Sequence, residues 1–153
     1  MVERISLTLD FSVYNNKYIN IDNTIQCEVI NDSNFDRVED TFGLLLSQRF
    51  WPSKEQFLRA SFGVTASQDG RYAAICYACA VAEGKAEVDI FTDPAYRMKG
   101  LGKVVLSAFI DMCINRGLNV NWDCYTNNKP SILLAQYFNF VPAMTYMHAI
   151  ISK

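Results

Sequence analysis

The chain opens on an alternation of hydrophobic and polar residues. Its hydrophobic members are Ile5, Leu7, Leu9, Phe11 and Val13. Successive side chains of a strand point to opposite faces, so the pattern predicts a strand with one buried face that ends near Asn15-Asn16. Because its other face is polar, we expect this strand at a sheet edge, or in a hairpin with a second alternating strand over Ile25–Ile30.

Helical spacing of hydrophobic residues follows the second strand. It covers Phe35, Val38, Phe42, Leu45 and Leu46 and predicts a helix to about Gln48, with Asp32 and Ser33 as candidate caps and Asp36 three residues after Ser33. The sequence Ser53-Lys-Glu-Gln56 has the form of a capping box, which predicts a short helix to about Ala60.

The next segment has the pattern of a three-stranded meander. Apolar stretches over Phe62–Ser67, Arg71–Ala82 and Glu87–Thr92 are separated by the turn sequences Asp69-Gly70 and Glu83–Lys85. After it we predict a helix from Leu101 to Gly117, a strand over Asn119–Cys124, a helix from Pro130 to about Phe138 and a strand over Ala143–Ile151. The predicted order is β-β-α-α-β-β-β-α-β-α-β.

Composition and charge narrow the class of protein. The chain carries 14 basic and 16 acidic residues, whereas proteins that bind nucleic-acid backbones are normally basic, so no nucleic-acid partner is expected. It has no apolar run near the ~18 residues of a membrane helix and no secretory signal pattern. Cys76 and Cys79 are three apart in a predicted strand and point to opposite faces, so no metal site is expected. Five scattered cysteines are typical of a reducing cytoplasm.

The loop from Asp93 to Lys103 has the features of an anion site. Gly100 and Gly102 permit close approach of the backbone to a ligand, and the free amides at the start of the following helix attract negative charge. The loop is rich in basic residues, and no acidic residue occurs over residues 95–110. We therefore predict that it binds a phosphate or pyrophosphate. A dinucleotide fingerprint or a P-loop is excluded, because Val104 and Val105 stand where those motifs need other residues.

The motif Arg97-x-x-Gly100-x-Gly102 resembles the acyl-CoA pyrophosphate loop of the GNAT superfamily of N-acetyltransferases. The segment from Asn128 to Phe140 is similar to another motif of that superfamily, and the predicted order of elements from Ile25 onward matches its fold. Further segments resemble the branch that includes the zwittermicin-resistance acetyltransferases: Phe57-Leu58, Phe62-Gly63, Asp69-Gly70, Arg97–Leu101, Cys113, Gly117-Leu118 and Trp122–Cys124. The resemblance divides the chain into an N-terminal strand extension, 1–24, and an acyltransferase domain, 25–153.

The resemblance implies an α/β fold with a mixed, mostly antiparallel sheet of six to seven strands and about four helices. The sheet would splay between the strands 87–92 and 119–124 to admit acetyl-CoA. Residues implied to contact acetyl-CoA are Ile90, Phe91 and Thr92 beside the pantetheine arm, Arg97, Met98, Lys99, Gly100, Leu101, Gly102 and Lys103 around the pyrophosphate, and Asn128 and Ser131.

The implied reaction is direct attack by the primary amine of a small acceptor on the thioester. The candidate bases are Glu87, Asp89 and Asp123, the carboxylates on the strands that flank the expected thioester. The family's usual tyrosine acid is replaced by Ala135, which leaves Tyr125, Tyr137 or water to protonate the thiolate.

Other functions stay open at this point. The absent tyrosine is compatible with an acyl-CoA-binding module that has lost its chemistry and acts by interaction. A transferase that acts on charged tRNA or on a protein is a third interpretation, against which the net charge of −2 weighs in the case of tRNA. A homodimer is possible, since the apolar face of the first strand must be covered either by the chain's own sheet or by a second chain.

Overall fold

In the described part of the chain, seven strands form one sheet, and four α-helices pack against it. The computed structural model describes residues 1–14, 18, 22–43, 46 and 50–150. The strands are β1 (Val2–Leu9), β2 (Ile25–Val29), β3 (Gly63–Gln68), β4 (Arg71–Ala82), β5 (Lys85–Thr92), β6 (Asn119–Tyr125) and β7 (Phe140–His148). The helices are α1 (Phe35–Phe42), α2 (Lys54–Ala60), α3 (Leu101–Asn115) and α4 (Lys129–Tyr137). This sequence of elements confirms the predicted order. The first strand is shorter than predicted, because β1 ends at Leu9, and Phe11 and Val13 lie in a turn with exposed side chains. The predicted boundary at Asn15-Asn16, helix residues Leu45 and Gln48, and strand end at Ile151 lie outside the described residues.

A local capping signal sets the start of α2 but not that of α1. The Ser53 side chain accepts a hydrogen bond from the Gln56 amide at 3.2 Å, which confirms the predicted N-terminus of α2. The predicted caps of α1 are wrong, because its N-cap is Asn34, which makes no side-chain cap bond to the helix. Asn34 instead accepts a hydrogen bond from the Asn31 amide at 2.8 Å, so its side chain serves the preceding turn.

The sheet has the strand order β2-β3-β4-β5-β6-β1-β7 and is antiparallel except for the β5–β6 pair, which confirms the predicted fold class. The parallel pairing runs only from Lys85↔Asn119 to Glu87↔Asn121. Over the rest of the two strands, Val88–Thr92 and Trp122–Tyr125, no register between β5 and β6 is formed. The sheet is therefore open along this edge of β5, at the predicted splay.

The position of β1 corrects the prediction of an edge strand or a hairpin with Ile25–Ile30. β1 lies inside the sheet, between β6 and β7, whereas β2 forms the opposite edge. Leu7 and Leu9 are buried in the core beside α3 and α4, so their apolar face is covered by the chain itself. The part of that face within β1 therefore gives no reason for a dimer, whereas Phe11 and Val13 beyond it are exposed, and the homodimer stays a prediction.

Leu7→Ala is expected to lower the free energy of unfolding by about 3 kcal/mol, because it leaves a cavity in a core position with no exposed surface. Urea denaturation followed by circular dichroism measures the change. Ser6→Ala, on the half-exposed face of the same strand, serves as the control and should change it by less than about 0.5 kcal/mol. Equal stability of the Leu7→Ala variant and the parent would contradict the interior position of β1.

The sheet has a hydrophobic core on each of its two faces. On one face, Val105 and Phe109 of α3 pack against the sheet together with Ala86 of β5. On the other face, Phe35 of α1 and Phe57 of α2 pack against β4. By alternation, Val88 and Ile90 lie on the α3 face of β5, whereas Glu87, Asp89 and Phe91 lie on the α1 face. Among the described residues, no helix is long and apolar enough to cross a membrane.

Candidate active site

The glycine-rich loop joins β5 to α3 through a short turn. Asp93 Oδ1 accepts a hydrogen bond from the Ala95 amide at 2.9 Å and fixes a single 3₁₀ turn over Pro94–Tyr96. Met98 and Gly100 then adopt left-handed backbone conformations, with φ of 66° and 82°. Gly100 is the N-cap of α3, and the first intrahelical bond runs from the Val104 amide to the Gly100 carbonyl at 3.2 Å. The amides before Val104 are thus left to a ligand.

Three basic residues surround these free amides. Arg97 Nε donates a hydrogen bond to the Thr92 carbonyl at 3.4 Å, and Lys103 Nζ lies 3.9 Å from the centre of the Tyr137 ring. Lys99 Nζ lies 5.4 Å from the centre of the Tyr96 ring. Within the described part of the chain, ion pairs involve only Arg4 and Lys54 as cations. The loop therefore keeps its positive charge for an anionic ligand, to which the N-terminal end of the α3 dipole adds.

A cavity of about 440 Å³, the cofactor cavity, lies between this loop, β5 and α4. It brings together most residues that the sequence associates with acetyl-CoA: Ile90, Thr92, Arg97, Met98, Gly100, Leu101, Gly102, Lys103, Asn128 and Ser131. Phe91 and Lys99 are not among its lining residues, because Phe91 is on the other face of β5 and Lys99 extends over Tyr96. Further lining residues, for which the sequence implied no contact with acetyl-CoA, are Tyr96, Trp122, Pro130 and Leu134.

A second cavity of about 280 Å³, the acceptor cavity, occupies the open stretch between β5 and β6. It is lined on the α1 face of the sheet by Arg4, Asp89, Asp123 and Tyr125. The residues that it shares with the cofactor cavity are Ile90, Trp122, Asn128 and Ser131. The two cavities therefore meet in the gap in the sheet, so that a ligand arm entering from the loop can reach the opposite face.

The start of α4 orients the polar groups of this junction. Asn128 is the N-cap of α4, and its Oδ1 accepts a hydrogen bond from the Ser131 amide at 3.3 Å. Trp122 Nε1 donates to Ser131 Oγ at 3.0 Å. Since the Ser131 oxygen already accepts this bond, its own proton is free to be donated to another group.

The candidate bases differ in their partners. The hydroxyl of Tyr77 donates to Asp89 Oδ2 at 2.6 Å. Glu87 Oε1 accepts from Asn121 Nδ2 at 3.2 Å, and Glu87 is not among the residues that line either cavity in the described structure. Asp89 has no ion pair with any described residue, which leaves its negative charge available to an incoming cation.

Asp123 is instead held from both sides. Arg4 Nε lies 2.5 Å from its Oδ1, and the Tyr146 hydroxyl donates to its Oδ2 at 2.6 Å. Burial alone would lower the pKa of Arg4, but the hydrogen bond and the charge of Asp123 raise it above its ordinary value. The hydrogen bond to Asp123 likewise raises the pKa of Tyr146. The carboxylate of Asp123 is thus already neutralised by a permanently charged guanidinium.

The two tyrosines that the sequence offered as acids lie in different places. Tyr125 lines the acceptor cavity, and the Arg4 guanidinium carbon lies 4.6 Å from its ring centre. Tyr137 is on the outside of α4, packed against Tyr18 and Phe138, and is not among the described residues that line either cavity. The structure therefore brings Tyr125 near the junction and does not bring Tyr137 there.

Three polar residues of the site were not found from the sequence: Arg4, Tyr77 and Tyr146. Tyr77 lies in an apolar strand, where an aromatic residue is normally interpreted as core, and its ring is indeed fully buried. Arg4 and Tyr146 reach Asp123 only because β1 is inserted beside β6. The register pairs Arg4 with Tyr125 on one side and with Tyr146 on the other. No local sequence signal reports such pairing across more than 100 residues.

Comparison with known proteins is consistent with this geometry. The sequence model of a family described as GNAT acetyltransferase matches residues 10–148. The uncharacterized N-acetyltransferase YdfB of Bacillus subtilis (strain 168) is 31% identical over 99 residues, which are 65% of this chain and 38% of that protein. Among solved structures, a GCN5-related N-acetyltransferase-like protein of Streptococcus suis has a TM-score of 0.78 at 20% identity, covering 94% of this chain and 59% of the other.

A second solved structure was determined with a ligand. The Salmonella typhimurium protein yncA, solved with its cofactor acetyl-CoA, has a TM-score of 0.61 at 14% identity over 78% of this chain and 80% of that protein. These likenesses show the fold. The present chain spans less than two thirds of the length of the Bacillus and Streptococcus proteins.

Proposed function

We propose, since the chain belongs to the GNAT acetyltransferase family, that it transfers the acetyl group of acetyl-CoA to the primary amine of a small acceptor. The observation that carries this proposal is the meeting of the two cavities in the open part of the sheet. One cavity offers free amides and basic side chains suited to a pyrophosphate, and the other offers a carboxylate suited to an ammonium group.

The cofactor cavity fits acetyl-CoA in charge and in shape. The amides at the start of α3, with Arg97 and Lys103, would hold the pyrophosphate. The edge of β5 over Ile90–Thr92 has no strand partner on its β6 side, so its backbone groups are available to the amide groups of the pantetheine arm. When bound, acetyl-CoA supplies a thioester that an amine can attack without a covalent enzyme intermediate.

Asp89 is the group that this geometry favours as the general base. It lines the acceptor cavity, and Tyr77 fixes one of its oxygens while the other stays available. Asp123 is occupied by Arg4 and Tyr146, and we assign it the positioning of β1, β6 and β7 around the cavity. Asp89 would take the proton that the amine loses and would thereby keep the amine nucleophilic.

Ser131 is the hydroxyl that the geometry places at the junction. Its oxygen accepts a hydrogen bond from Trp122 Nε1, so its hydroxyl can donate a hydrogen bond to the sulfur as the sulfur leaves with negative charge. Ser131 would stabilise the thiolate by a hydrogen bond, and water would supply the proton that the thiolate finally takes up. In this role Ser131 would stabilise the thiolate in place of the tyrosine that the family usually has at the position of Ala135.

Ser131→Ala is expected to lower kcat about tenfold and to leave the KM for acetyl-CoA within about twofold, because the lost hydrogen bond forms as charge develops on the sulfur. Release of the thiol, followed with a thiol-reactive dye, measures both constants. Ser131→Thr retains the hydroxyl and should restore most of kcat. Equal losses in both variants would show that the site needs the size of serine and not its proton.

A direct test of the proposed function is titration of the protein with acetyl-CoA in a calorimeter, followed by thiol release with a panel of primary amines. Binding with turnover supports the transferase. Binding with no turnover on any amine would favour the alternative, an acyl-CoA-binding module that acts by interaction. Absence of binding would overturn both.

The finer assignments are part of the same proposal. The branch that includes the zwittermicin-resistance acetyltransferases is supported by the segment Trp122–Cys124 and the loop Arg97–Leu101.

A reducing, cytoplasmic location is supported by the cysteines, all of which are free thiols. Burial raises the pKa of the Cys113 thiol to about 12, so this thiol stays protonated at neutral pH.

A further inference from the structure

We propose that the acceptor is a primary amine carried on a flat, apolar ring, an inference that rests on the proposed acetyl transfer. Two exposed aromatic rings, Phe91 and Tyr125, lie on the acceptor side of the gap between β5 and β6. The carboxylate of Asp89 lies two residues before Phe91 on the same face of β5. We call these three groups together the cleft: Asp89 and Tyr125 line the acceptor cavity, and Phe91, which is not among its lining residues, stands next to Asp89 on the exposed surface of the same face.

The strand register places the two rings on opposite sides of the gap. The parallel pairing ends at Glu87↔Asn121. Two residues further along each strand stand Asp89 and Asp123, and two further stand Phe91 and Tyr125, all on the α1 face. Each ring is thus about 7 Å along its strand from the carboxylate that precedes it, at a rise of ~3.3 Å per residue. An ammonium group at Asp89 would bring the attached carbon skeleton close to the Phe91 ring, with the Tyr125 ring on the other side of the gap.

Both rings are supported from one side and open on the other. The Phe42 ring at the end of α1 meets Phe91 edge-on, with centres 6.1 Å apart and an angle of 85° between the planes. The Arg4 guanidinium carbon lies 4.6 Å from the centre of the Tyr125 ring. Even so, 40% of Phe91 and 41% of Tyr125 remain exposed. Exposed aromatic surface that is held in place beside a cavity favours stacking with a flat ligand.

The charges of the cleft select the kind of amine. Asp89 is not ion-paired with any described residue, so it attracts an ammonium group. Arg4 is engaged by Asp123, so a carboxylate on the acceptor would meet no free cation among the described residues of this cavity and would be repelled by Asp89. A ring-bearing amine without a carboxylate therefore fits better than the corresponding amino acid.

The size of the cleft fits a small molecule. The acceptor cavity has a volume of about 280 Å³, slightly less than the ~300 Å³ of the smallest pockets that hold drug-sized ligands. A single aromatic ring with a two-carbon amine chain fits this volume. A folded protein or a tRNA end would need a longer groove.

The test compares 2-phenylethylamine with n-butylamine and phenylalanine at saturating acetyl-CoA. We expect kcat/KM for 2-phenylethylamine to exceed that for either comparison amine at least tenfold. Phe91→Ala and Tyr125→Ala should each lower kcat/KM for 2-phenylethylamine, mainly through KM, about tenfold more than they lower kcat/KM for n-butylamine. Calorimetry should show that both variants still bind acetyl-CoA.

Ile114→Ala is the matched control, because Ile114 is exposed to a similar extent, 42%, at the far end of α3. It should leave all three amines unchanged. If acetyl-CoA binds and n-butylamine or phenylalanine is acetylated as well as 2-phenylethylamine, the inference about the acceptor is overturned and the transferase stands. The same holds if the aromatic variants lower the rates with all amines equally. If acetyl-CoA does not bind, the proposed function itself fails.

Discussion

Asp89→Asn is expected to lower kcat/KM about 100-fold with any amine that the protein acetylates. A positioned general base contributes roughly 10²–10⁴ to a rate, and the amide of asparagine keeps the size of the side chain but cannot take up the proton. The affinity for acetyl-CoA should be unchanged, because Asp89 is not among the residues that line the cofactor cavity. Steady-state kinetics and calorimetry on the same preparation measure the two quantities.

Two further carboxamide variants make this prediction specific. Glu87→Gln removes a carboxylate from the same face of β5, and we expect it to change kcat/KM less than threefold, because Glu87 lies outside the acceptor cavity and bonds Asn121. Asp123→Asn removes the negative charge that pairs with Arg4. We expect it to lower the free energy of unfolding and to change kcat less than Asp89→Asn does. A larger loss of kcat in Asp123→Asn than in Asp89→Asn would reverse the assignment of the base.

The sequence predicts much of the fold because several of its signals are local. Serine at the start of α2 and the turn Asp69-Gly70 each act within a few residues, and the alternation in β5 is equally short in range. The anion loop is predicted for the same reason, since its glycines and basic residues are contiguous. Such signals define the elements and one side of the site.

Contacts between distant parts of the chain explain what the sequence could not predict. Alternation in β1 correctly indicates one apolar face, but it carries no information on whether the strand has one neighbour or two. The polar face of β1 stays partly exposed to solvent even though the strand lies inside the sheet, because Ser6 and Thr8 are only partly buried beside β6 and β7. The edge prediction failed because the sheet gives this strand a neighbour on each side.

The choice among three candidate bases depended on the same long-range information. Glu87, Asp89 and Asp123 are equivalent in the sequence, as acidic residues on strands expected to flank the thioester. They become distinct only through partners brought by other elements, namely Tyr77 from β4 for Asp89, and Arg4 from β1 with Tyr146 from β7 for Asp123. The N-terminal strand is thus part of the candidate site as well as of the core.

Gly100→Val is expected to weaken acetyl-CoA binding at least 100-fold. Gly100 has a φ of 82°, a conformation that a β-branched residue adopts only with strain, and it is the N-cap that starts α3. An added Cβ would lie in ordinary van der Waals contact with the Tyr18 hydroxyl, at 3.6 Å, so the strain arises in the backbone. The loop must therefore rearrange, which moves the free amides at residues 101–103 away from the pyrophosphate.

Gly84→Val is the control that separates the effect of backbone strain from the loss of acetyl-CoA binding. Gly84 has a similar φ, 74°, in the turn between β4 and β5, at the opposite end of β5 from the anion loop, and an added Cβ there would contact nothing within 4 Å. Both variants should lose about 1–3 kcal/mol of stability from the strained backbone, but only Gly100→Val should lose affinity in calorimetry. Since the two substitutions share residue type and backbone strain, a difference in affinity isolates the contribution of the loop amides. Tight binding by Gly100→Val would mean that the pyrophosphate is held elsewhere, and the assignment of the anion loop would then be wrong.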